Sequence, residues 1–130
     1  MKFLVGYDGS NSAKAALALS RTYAKTFNAE IVVVASVEGD IMNRDAQLEK
    51  ANANLTYAAQ FLAEEGIPTE MEILARGNKP GEDIVKFAEA NKFDALFIGL
   101  RRRSRVDKLF FGSNAQYIIL YAPCPVISVK

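Results

Sequence analysis

A chain of 130 residues has the length of one domain and can bury a core without disulfides or structural metals. Its 16 basic and 15 acidic side chains leave a net charge of +1, which excludes a strong whole-molecule pull toward nucleic acid or an anionic membrane. The absence of histidine excludes histidine triads and histidine metal sites, and a lone cysteine, Cys124, excludes an internal disulfide. No charged and apolar leader precedes the first strand, and no apolar run approaches the roughly 18 residues of a membrane-spanning helix. A cytoplasmic protein is expected.

Phe3 to Tyr7 is a short apolar run that ends at Asp8-Gly9-Ser10. Ala13, Ala16, Leu17, Ser20, Tyr23, Ala24 and Phe27 then recur at helical spacing, with Ser10 or Asn11 as N-cap. Ile31 to Ala35 is a continuous apolar run, as a central parallel strand requires. Leu48, Ala51, Leu55, Ala58 or Ala59, and Leu62 predict a second helix that stops at Gly66. Met71, Ile73 and Ala75 alternate with Glu70, Glu72 and Leu74, a mainly polar second face that suits an edge strand.

A third helix opens at Lys79-Pro80-Gly81-Glu82-Asp83, with Ile84, Val85 and Ala88 facing inward. Asp94 to Ile98 reads as a fourth strand, Asn114 to Tyr121 as a short helix, and Val126 to Val129 as a fifth strand. Five strands alternating with four helices imply an α/β fold: an open five-stranded parallel sheet with helices on both faces. With the third and fifth strands as edges, the expected order is 3-2-1-4-5, in one Rossmann-like domain over residues 1–130. The winding then reverses between the first and fourth strands, where open α/β sheets place their ligand crevice.

The carboxyl ends at that reversal are Asp8-Gly9-Ser10 and Gly99 onward. Beyond Gly99, residues 101–108 hold Arg101, Arg102, Arg103, Arg105 and Lys108 against Asp107, a local charge of +4 in a chain whose remainder sums to −3. The loop ends at Gly112-Ser113, where a helix begins whose N–H groups can receive an anion. Neither a Gly-x4-Gly-Lys-Ser/Thr phosphate loop nor a Gly-x-Gly-x-x-Gly turn is present. Glu64-Glu65 and Glu82-Asp83 read as solvated surface, and Cys124 as a packed small residue. Asp8 is read either as a cap of the following turn or as a ligand contact.

The stretches Phe3-Leu-Val-Gly-Tyr-Asp-Gly-Ser10, Asp94-Ala-Leu-Phe-Ile-Gly99, Gly112-Ser113 and Ala122-Pro-Cys-Pro-Val126 together resemble the universal stress protein family, along the whole chain. Its ATP-binding members carry Gly-x2-Gly-x9-Gly-Ser/Thr. Here Gly99, Gly112 and Ser113 keep the spacing, but Arg102 stands at the second glycine and Arg105 at another position that is often glycine. The resemblance implies that Asp8 contacts the nucleoside, that the backbone near Ser36 and Val37 meets adenine, and that Ser113 and Asn114 take phosphate. It also implies a homodimer paired through the last strand, where Val126, Ile127 and Val129 form an apolar edge.

Arginine at position 102 removes the freedom of a phosphate-loop glycine. Arg101, Arg102 and Arg103 either clamp the phosphates, or Arg102 plugs the crevice, or the loop is merely hydrated. The expectation is a non-catalytic regulatory homodimer of the stress-response type that binds ATP or another adenine nucleotide, with or without Mg²⁺. The rivals are a member that acts through partners without nucleotide, a slow ATP hydrolase, and a basic loop that binds nucleic acid. The last is disfavoured because no aromatics are interleaved with the arginines. Phe110 and Phe111 read as anchors of the loop.

Overall fold

The computed structural model describes residues 1–38, 41–101 and 112–130. β1 (Lys2–Gly6) leads into α1 (Asn11–Phe27) and β2 (Glu30–Ser36). A 3-10 turn (Ile41–Asn43) opens onto α2 (Arg44–Ala63), followed by β3 (Thr69–Leu74) and α3 (Pro80–Ala90). β4 (Ala95–Gly99), α4 (Ser113–Tyr121) and β5 (Val126–Val129) complete the described elements. All four strand pairings are parallel, in the order β3-β2-β1-β4-β5 that the sequence predicts. Arg102, Arg103, Arg105, Phe110 and Phe111 lie outside the described residues.

The central strands read as unbroken apolar runs because both of their faces are covered. Phe3, Val5, Ile31, Val33, Ala95 and Phe97 join the core under α1 and α2. Their neighbours Leu4, Val32, Val34, Leu96 and Ile98 join the second core under α3 and α4. β1 to β3 wind outward with α1 and α2 on one face. The chain then returns across the sheet to β4 with α3 and α4 on the other, as right-handed crossovers demand. No described helix is long and apolar enough to cross a membrane.

Ser10 caps α1, its hydroxyl accepting from Ala13 N–H at 3.2 Å. The buried stripe of α1 is Ala13, Ala16, Leu17, Ser20 and Ala24. Tyr23 and Phe27, predicted within that stripe, are 37% and 52% exposed. Small residues occupy most of the face that meets the sheet, and the two rings flank it. Tyr23 meets Phe97 edge-on at 5.6 Å and Phe27 at 6.3 Å.

β3 is the edge strand that the sequence expects. Ile73 and Ala75 pack against the core under α1 and α2, Leu74 is fully buried in the core under α3, and Met71 is 42% exposed. One further expectation needs correction. Asp83, read as solvated surface, is 0% exposed. It lies one turn into α3, behind Pro80, on the side of the helix that faces the end of β2, and polar partners there satisfy it.

Candidate functional site

The carboxyl ends of β1, β2 and β4 open into a crevice of about 540 Å³, within the usual range for small-molecule sites. Asp8, Ser36, Val37, Gly99, Arg101 and Asn114 all line it. Gly112 and Ser113 are not among the lining residues, and Arg102 and Arg103 lie outside the described residues. On the α3 and α4 side the walls are apolar, with Val34, Ile84, Ile98, Ala115 and Ile118. On the α2 side they are polar, with Gln47, Lys50 and Asn54 spaced along one helix face. Sequence reading missed that polar stripe. Its signal is Gln47 one turn before Ala51, with Lys50 and Asn54 flanking the line of Ala51 and Leu55.

Asp8, two residues beyond β1, has both carboxylate oxygens engaged. Oδ1 accepts from Ser10 N–H at 2.9 Å, and Oδ2 accepts from Arg101 Nη2 at 2.9 Å. The turn-cap reading of Asp8 therefore holds, and its position on the crevice wall is where a ligand contact would be made. Partial burial opposes its ionisation, but hydrogen bonds from the Ser10 hydroxyl and backbone, with the Arg101 charge, outweigh it and hold the carboxyl below its ordinary value. The Asp8 and Arg101 side chains are 58% and 63% exposed, so their ion pair is solvated and weak.

Gly99 ends β4 directly against the start of α1. A Cβ there would sit 2.5 Å from Ala13 N and from Ser12 C. On the opposite face, Asn114 Oδ1 accepts from Gly81 N–H at 3.0 Å, joining the first turns of α4 and α3. At the end of β2, Val37 N–H donates to Leu74 O at 2.8 Å, so this backbone donor is already used. Ser36 Oγ donates to Asp83 Oδ2 at 3.0 Å, and Asn78 Nδ2 donates to Asp83 Oδ1 at 3.0 Å.

Tyr7 is buried beside the crevice, its ring stacked at 6.2 Å on Tyr57, which in turn stacks on Phe61. Burial first, then neighbouring Tyr57 and Asp8, push its phenol up to about 12. A raised folded value contributes stability that is complete below about pH 10 and is lost as pH rises through about 12, by at most about 1.4 kcal/mol per unit. Ultraviolet titration should therefore show a step near pH 12 that is absent in Tyr7→Phe. A step that persists in Tyr7→Phe refutes the assignment.

Among the described residues no group of three or more Cys, Asp or Glu side chains is placed to hold a metal ion.

The sequence profile of the universal stress protein family matches residues 1–130. A universal stress protein of Thermus aquaticus is 32% identical over 133 residues, covering 98% of this chain and 96% of that protein. The structure of a universal stress protein from Archaeoglobus fulgidus superposes with a TM-score of 0.90 at 35% identity, over 100% of this chain and 98% of the other. A universal stress protein structure from the same organism, in complex with dAMP, superposes with a TM-score of 0.84 at 31% identity, again over 100% and 98%.

Proposed function

The chain belongs to the universal stress protein family, and from that premise we propose that it is a non-catalytic regulatory protein that binds an adenine nucleotide in the crevice between β1 and β4. The observation that carries this reading is the convergence of Asp8, Ser36, Val37, Gly99, Arg101 and Asn114 on one crevice at the reversal of the sheet. The dAMP held by the Archaeoglobus fulgidus relative supports the ligand class.

In this reading the apolar walls of Val34, Ile84, Ile98 and Ile118 take the base. The phosphates recruit Arg101 from Asp8, which then accepts a ribose hydroxyl. The exchange costs little, because an exposed ion pair is worth at most about 1 kcal/mol, whereas a charge-assisted bond to phosphate in a partly enclosed crevice is stronger. Where the ligand is a triphosphate, Mg²⁺ would use the phosphate oxygens together with Asp8. Occupancy moves Arg101 from Asp8 to the phosphates, and a partner reads the altered surface.

The same reading makes the protein a homodimer through β5. An edge strand of Val126, Ile127 and Val129 lies beside α4, whose Leu120 and Tyr121 are 72% and 59% exposed. A second copy paired along β5 would cover both features. Sedimentation equilibrium should return the dimeric mass, and a monomer at all concentrations would remove this part.

Titration calorimetry with AMP, ATP and adenosine, with chromatography of nucleotide released from protein purified without added ligand, tests the ligand. Saturable binding of AMP or ATP is expected. Arg101→Ala should weaken AMP about threefold to tenfold and leave adenosine no weaker. No binding at millimolar AMP or ATP would end the proposal.

A further inference from the structure

The hydrogen bonds around Asp83 have a fixed polarity. Asp83 is 0% exposed, and its two oxygens receive Ser36 Oγ and Asn78 Nδ2, each at 3.0 Å. A carboxylate only accepts, so the hydroxyl proton of Ser36 is committed to Asp83. Only acceptor capacity remains on Ser36 Oγ, and among the described residues nothing donates to it. The adjacent main-chain donor, Val37 N–H, is spent on Leu74 O. Ser36 lines the crevice together with the apolar Val34, Ile84 and Ile118. This corner therefore offers an acceptor to whatever flat apolar group enters it.

We propose that Ser36 and Asp83 discriminate the base: Ser36 Oγ accepts from the 6-amino group of adenine and rejects the 6-oxo group of hypoxanthine. Ser36 is the specificity-determining residue, and Asp83 is the positioning residue that fixes the direction of its proton. The inference rests on the adenine-nucleotide reading above and adds to it the side chain that selects the base. Burial of Asp83 matters, because a carboxylate shut away from water keeps its hold on the hydroxyl proton even though Ser36 itself borders the crevice.

Calorimetric titration with AMP, IMP and purine riboside 5′-monophosphate tests it. These three share the sugar and phosphate and differ only at the sixth ring position. The unaltered protein should bind AMP about tenfold more tightly than either of the others, the size of one hydrogen bond. Ser36→Ala should bring AMP down to the level of the unsubstituted purine nucleotide, and Ser36→Thr should restore the gap.

Asp83→Asn carries the sharper expectation. The introduced amide accepts from Asn78 through its oxygen and donates to Ser36 through its nitrogen. The Ser36 proton is then free to meet a 6-oxo group, and the AMP-to-IMP ratio should fall to parity or invert. A purely structural role for Asp83 would weaken all three ligands together.

Equal affinity of the unaltered protein for AMP and IMP, or a ratio unchanged in Ser36→Ala, overturns the assignment while leaving nucleotide binding intact. Failure of all three nucleotides to bind removes both readings. Where Asp83→Asn does not fold, the ratios in Ser36→Ala and Ser36→Thr decide.

Discussion

Gly99→Ala should lose about 3 kcal/mol of stability and melt on the order of 10 °C lower than the unaltered protein. The added methyl would lie 2.5 Å from backbone atoms of Ser12 and Ala13, in the first turn of α1. Neither the strand end nor a helix start can yield as a flexible side chain does, so α1 must lift away from β4. That movement also pulls on the turn that carries Asp8, so nucleotide affinity should fall with stability. Gly66→Ala is the control. Gly66 has φ +68° with nothing within 4 Å of its would-be Cβ, so only the left-handed backbone is penalised, by about 1 kcal/mol. Thermal melts of equal size for the two variants would contradict the close approach at Gly99.

Asp83→Ala is the second large expectation, at about 3 kcal/mol. It strands two donors, Ser36 Oγ and Asn78 Nδ2, in a place where the acceptor was fully buried. It also cuts the tie between the end of β2 and α3. Ser36→Ala removes one donor and leaves the carboxylate with Asn78, so it should cost clearly less. Denaturant unfolding of both variants checks the order. A loss in Asp83→Ala no greater than in Ser36→Ala would show that Asp83 holds nothing together.

The sheet was legible because β1, β2 and β4 are apolar at consecutive positions, which only a strand covered on both sides tolerates, and because helices separate them. From the strand order the place of the crevice follows, and Asp8, Gly99 and Asn114 fall on it. What the sequence hides is burial of a polar side chain. Asp83 sits among Glu82 and Lys79 at a helix start, a context that elsewhere means solvent, and its partners Ser36 and Asn78 are distant in sequence or unmarked. Gln47, Lys50 and Asn54 were invisible for the opposite reason. They are ordinary helix-surface types, and only the tertiary placement of α2 beside the crevice gives them a role there. Tyr23 and Phe27 show that helical spacing marks a face but not its width.

Leu100, between Gly99 and Arg101, donates its N–H to Val129 O at 2.7 Å. The peptide bond between crevice-lining Gly99 and Leu100 is thus tied to the edge strand β5. Deuterium uptake at this one amide should slow when either a small molecule or a second subunit arrives, which makes it a natural reporter of cross-talk between the two events.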